Sequence, residues 1–150
     1  MPNNKFDDLL ERVVQHDPRY HREAYLFVRE SLSHTQRKLA KSSPKKTRHI
    51  SGQQLLEGIR EYALAQFGPM AVTVLEYWGI YRCEDFGELV FNLIHAKVLR
   101  KTGQDSKADF TGGYDFFDAF VKPFLPTRRH RHLLAHSRST PSISGPTLAN

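Results

Sequence analysis

The chain has 150 residues, of which 39% are hydrophobic, with a formal charge of +6 and one cysteine. That length suits a single domain with a sizeable core, and no run approaches the ~20 apolar residues of a membrane span. One cysteine excludes an internal disulfide, and the early acids without an apolar leader run argue against a secretory signal, so a cytoplasmic protein is expected.

In chain order, Phe6, Leu9, Leu10, Val13 and Val14 predict a short amphipathic helix. Asp17-Pro18 ends it, because a residue before proline avoids the helical region. A longer helix is expected over residues 19–40. There Tyr25, Val28, Leu32, Thr35 and Leu39 step by three and four, with Ala24 and Phe27 beside them. This stripe reads as core rather than as a docking face for a partner helix. Residues 41–49, KSSPKKTRH, form a basic linker.

The densest patterning lies in residues 51–120. Ser51 and Gln54 form a capping-box pair at a helix start, with Ile50 and Leu55 spaced as a hydrophobic staple. Leu55, Leu56, Ile59, Tyr62, Ala63 and Phe67 give that helix its apolar face. Gly68 suits the residue past its end, and Pro69 suits the start of the next helix, expected over residues 69–78. A further helix is expected over residues 83–97. Glu84 and Asp85 favour its first turn and Lys97 its last. Turn residues 102–106 between residues 98–101 and 107–110 read as a small hairpin. Tyr114, Phe116, Phe117 and Phe120 predict a closing aromatic cluster, and the prolines at 123 and 126 an extended segment.

The expected fold is therefore mainly α, with about five helices and a small hairpin. Three helices followed by a hairpin is the order of a winged-helix domain, with the helices on either side of Gly79 as the helix-turn-helix. A generic helical bundle is the alternative. The domain is expected to span residues 1–126. The basic tail, residues 127–150, is polar enough to be expected to stay disordered.

Charge is shared unevenly. Residues 1–50 carry 11 Lys+Arg against 6 Asp+Glu, residues 51–120 carry 6 against 10, and residues 121–150 carry 5 against none. The flanks attract polyanions and the centre repels them. The candidate nucleic-acid contacts are Lys41, Lys45, Lys46 and Arg48 in the linker, Arg100, Lys101 and Lys107 around the hairpin, and Arg128, Arg129 and Arg131 in the tail. For each group a solvated loop is the plainer reading. Glu84, Asp85 and Glu88 at the start of the would-be recognition helix oppose a phosphate lattice. Asn92 is its one obvious base-reading side chain.

Other chemistry finds little support. His130, His132 and His136 have a spacing that binds zinc or nickel only adventitiously, and no cofactor or resident metal is expected. Asp105, Asp109, Asp115 and Asp118 lack the pattern of a calcium loop and read as turn and cap residues. Cys83 and His95 lie roughly 18 Å apart along one helix and make no dyad. No phosphate-binding glycine loop, nucleophile elbow or zinc-hydrolase helix is present.

Several blocks of the sequence resemble a small bacterial family of conserved uncharacterised proteins, the Minf-type family. They are Asp17-Pro18-Arg19-Tyr20, HISGQQLLEGIREYALAQFGPMA (residues 49–71) and EDFGELVFNLI (residues 84–94), with Asp109-Phe110 and Gly113-Tyr114-Asp115-Phe116. The resemblance covers about residues 6–125 and implies a small, mainly helical cytoplasmic protein. It brings no catalytic residues. The resulting expectation is a non-catalytic binding protein that contacts nucleic acid or a ribonucleoprotein through its basic flanks. An adaptor that binds protein through its acidic core is the second reading, and an unrecognised enzyme the third.

Overall fold

The structure, a computed structural model, describes residues 5–42, 49–100 and 105–126. Five α-helices carry the fold: α1 (Lys5–His16), α2 (Arg22–Ser42), α3 (Gly52–Phe67), α4 (Ala71–Tyr77) and α5 (Cys83–His95). A 3-10 turn, Gly68–Met70, joins α3 to α4, and short helical turns follow α5 at Lys107–Phe110, Phe117–Val121 and Lys122–Phe124. No described helix is long and apolar enough to cross a membrane.

The start of α3 forms as the sequence predicts. Ser51 Oγ accepts from Gln54 N at 3.1 Å, and Ser51 N donates to Gln54 Oε1 at 2.9 Å. Both groups would otherwise be unpaired at the helix start. At the other end Gly68, with φ +52°, lets the chain leave α3 and enter the Pro69 turn.

α2 and α3 are the most extensively packed pair of helices, and α5 lies against both. The approach of α2 to α3 is closest at Gly58, where an added Cβ would stand 1.7 Å from Thr35 Oγ1. The core runs through Leu10, Tyr25, Val28, Ile59, Leu75, Phe86 and Leu93, all fully buried. At one end Phe27 is ringed by Tyr62, Phe67 and Trp78, with centroids 5.5–5.8 Å away. At the other, Phe116 packs on Phe120 at 5.1 Å and on Phe86 at 5.9 Å.

Three expectations are corrected. The segment around Pro123, expected as extended, holds a 3-10 turn over Lys122–Phe124, because the fixed φ of proline also suits a first helical turn. Residues 107–110, expected as the second arm of a hairpin, form a 3-10 turn, and no strand occurs among the described residues. The cause is local. Ser106 Oγ accepts from Ala108 N at 3.1 Å while Asp109 Oδ2 accepts from Ser106 N at 2.9 Å, a helix-start pair that bends the chain away from an extended arm. The wing of a winged-helix domain is thus not built from these residues. Phe117 also leaves the aromatic cluster. The chain makes a π-type turn over Phe117–Val121, which buries Phe116 and Phe120 and leaves Phe117 52% exposed.

α5 ends in a Schellman turn. Lys97 N donates to Ile94 O and Val98 N to Leu93 O, each at 2.9 Å, with Lys97 in the left-handed region at φ 64°. Glycine normally fills this position because it has no Cβ to clash.

Candidate functional site

Residues 17–20 and one face of α5 form the main polar lattice. Asp17 is 8% exposed. Its carboxylate accepts from Arg19 Nε and Nη2 and from Asn92 Nδ2, each at 2.8 Å. Asn92 Nδ2 also lies 3.1 Å from the Tyr25 hydroxyl. Arg19 bridges onward to Glu88 at 3.2 Å, and Lys107 Nζ reaches the same Glu88 oxygen at 3.0 Å. Tyr20 donates its hydroxyl to Asp85 Oδ1 at 2.6 Å, while Asp85 Oδ2 accepts from Tyr81 N and Arg82 N. Asp85, Glu88 and Asn92 stand three and four residues apart, so all lie on one face of α5. The Arg19 hydrogen bonds hold the Asp17 carboxyl well below the usual carboxylate range. Burial pushes the Tyr25 hydroxyl up to about 12 and raises the Tyr20 hydroxyl further.

This lattice gives Asp85, Glu88 and Asn92 structural partners. Asn92 has both amide hydrogens directed into it, and Glu88 is shared between two cations. The apolar face of α5 (Phe86, Leu89, Val90 and Leu93) is buried. Spacing within α5 places Asp85, Glu88 and Asn92 on one face. It could not show that residues 17–20 cover that face.

The candidate site lies on the other side of α5. A cavity of about 430 Å3 opens between α2, α3 and α5. Leu32, Leu55, Phe91 and Ile94 supply apolar wall, and His49, Arg100 and Asp105 stand among its polar lining residues. His49 Nε2 is 3.8 Å from Asp105 Oδ1. The two residues are 56 positions apart, too far for spacing to reveal the pair. Ser51 is the one hydroxyl residue among the described lining residues, and its oxygen accepts the Gln54 N–H that caps α3. The arrangement offers an apolar pocket with a histidine–carboxylate pair and an arginine beside it, and Ser51 is committed to the helix cap.

Of the predicted nucleic-acid contacts, Lys41 is exposed in the last turn of α2 and Arg100 is exposed at the cavity. Lys107 is tied to Glu88 instead of being free for phosphate. Lys45, Lys46, Arg48, Lys101, Arg128, Arg129 and Arg131 lie outside the described residues, as do the three tail histidines. The fold does bring two basic segments together at their described ends. His49, which closes the linker, and Arg100, which opens the segment before Asp105, line the same cavity.

Cys83 is buried and its Sγ donates to Tyr114 O at 3.3 Å. Burial pushes its thiol up to about 11, which keeps it protonated and poorly nucleophilic near neutral pH. Cys83 and His95 occupy opposite ends of α5. No group of three or more metal-ligating side chains occurs among the described residues. Comparisons with protein-family models, with curated proteins and with solved structures find no match for this chain.

Proposed function

We propose that this is a non-catalytic binding protein that contacts nucleic acid or a ribonucleoprotein through its basic segments. The observation that carries the reading is the meeting of His49 and Arg100 at one cavity. Linker cations 41–48 and cations 100–101 are more than 50 residues apart in sequence, yet His49, which follows the linker, and Arg100 line one cavity. An electrostatic contact of this kind needs several cations presented together, because affinity comes from counterions released from the phosphate lattice. The lattice around Asp17 supports the view that α5 is a structural helix and reads no bases. The Minf-type resemblance fits this architecture, since two of its blocks, residues 17–20 and 84–94, meet in that lattice. It brings no activity to the reading.

The test is a binding titration of the full chain against unrelated duplexes and single strands at several salt concentrations. Affinity is expected to fall steeply with salt and to vary little with sequence. Replacing Lys45, Lys46 and Arg48 by Gln should flatten the salt slope by about 0.9 per lost contact on duplex DNA. An absence of binding at low salt would refute the reading. It would favour a protein adaptor, for which the specific support is the exposure of Met70, Tyr77, Tyr81 and Phe117, each more than half accessible.

A further inference from the structure

Two helix ends meet on a second cleft. α1 finishes at His16 and α5 at His95, and their imidazole rings stack with centroids 5.8 Å apart and planes 19° from parallel. Arg12, one turn back on α1, and Lys97, just past α5, line the same cleft beside Leu9 and Val13. The cleft has a volume of about 500 Å3 and shares no lining residue with the cavity at His49 and Arg100.

Its charge is one-sided. No Asp or Glu stands among its described lining residues. The nearest acid along the chain from His16, Asp17, is held by Arg19 and by Asn92, itself a lining residue. Among the described residues Arg12, His16, His95 and Lys97 form no ion pair. The helix dipole accounts for a cation at each helix end. It does not account for two ends delivering their cations, with Arg12 added, to one cleft that no acid lines. Lys97 adds a second sign. It holds a left-handed backbone at φ 64°, where a Schellman turn takes glycine at lower energy. A side chain kept at a strained position is a feature of ligand sites.

We propose that this cleft binds a phosphate group. The Arg12 guanidinium offers a two-pronged donor, the Lys97 ammonium a point charge, and the two imidazoles N–H donors. The proposal goes beyond the reading of the basic segments and stands independently of it.

The experiment titrates inorganic phosphate into the full chain and follows the histidine and backbone resonances by NMR. Saturable shifts at His16, His95, Arg12 and Lys97 are expected. Arg12→Gln should weaken binding roughly tenfold, the loss of one charged hydrogen bond. Lys97→Gly should weaken it too while raising Tm, so that the loss cannot be ascribed to unfolding. Replacing Lys45 and Lys46 should leave it unchanged, which separates this site from the proposed nucleic-acid surface. A short oligoribonucleotide that displaces phosphate assigns the phosphate to a nucleic-acid strand. One that does not assigns it to a small phosphorylated molecule. Either result supports the cleft as a phosphate site. The absence of saturable shifts at these four residues, or shifts unaltered in both Arg12→Gln and Lys97→Gly, overturns the proposal.

Discussion

Asn92 donates to the Asp17 carboxylate from 75 residues away, and among the described residues no other helix supplies a hydrogen bond to that carboxylate. This contact fixes the turn between α1 and α2 to the C-terminal half of α5. Asp17→Asn removes the charge that Arg19 and Asn92 solvate and sets one amide against another. A loss of about 2 kcal/mol at neutral pH is expected, in the range of hydrogen bonds to charged groups. The Asp17 carboxyl is depressed in the folded state. Its stabilisation is therefore present above the unfolded value of about 3.9 and fades as pH falls below it through the folded value. Denaturant melts of both proteins over a pH series check this. The gap should be full at neutral pH and shrink below about pH 4. A gap that widened in acid would show that Asp17 is not the anionic partner.

Ser51→Ala should cost about 1 kcal/mol, the usual loss of a helix N-cap. The hydroxyl oxygen and the Gln54 side chain satisfy one backbone N–H each. Ser51→Asp should keep most of the stability, since a carboxylate also caps. Equal denaturant midpoints for Ser51→Ala and the parent protein would show that water serves the helix start equally well.

Lys97→Gly should stabilise the protein by about 0.5–1 kcal/mol. A left-handed residue with a Cβ costs roughly 1–2 kcal/mol, which exceeds the extra chain entropy that glycine loses on folding. Thermal melts should show a higher Tm. A lower Tm would mean that the lysine side chain contributes more at the end of α5 than the backbone strain removes.

Gly58→Ala tests the contact between α2 and α3. Alanine is the better helix former by about 1 kcal/mol. Its Cβ, however, would stand 1.7 Å from Thr35 Oγ1 and 2.9 Å from Thr35 Cβ, so the helices must part. The clash should win, with a net loss of about 1–3 kcal/mol. The double change with Thr35→Ala should recover part of it, and a double-mutant cycle measures the coupling. Strict additivity would place the strain elsewhere.

What the sequence revealed and what it hid divide by range. The α3 start was legible because Ser51 and Gln54 are neighbours on the chain, and so was the α5 stripe. Lys97 was legible only as a helix-end cation. Its left-handed backbone carries no sequence signal, because glycine would have been the marker. The 107–110 segment misled because glycine and polar residues before it suggest a hairpin, while the deciding contact ties Ser106, the last turn residue, to Asp109 in the second arm. Asn92 as a partner of Asp17, and Asp105 as the partner of His49, were hidden because they lie 75 and 56 residues away in sequence. No spacing rule reaches that far in a chain without repeats. Cys83 and His95 were separable in advance because both lie on one helix.

The approach of α2 to α5 also sets the order in which the chain can mature. Tyr25 is fully buried, and its hydroxyl meets Asn92. A ribosome that has released residues 5–42 has therefore exposed a helix whose core face has no cover from α3 or α5. At about 5–20 residues per second, synthesis of the chain through Asn92 takes several seconds more. During that interval Tyr25, Phe27 and Val28 present an apolar ridge to the cell, and chaperone capture of the nascent chain should peak there and subside once α5 has emerged.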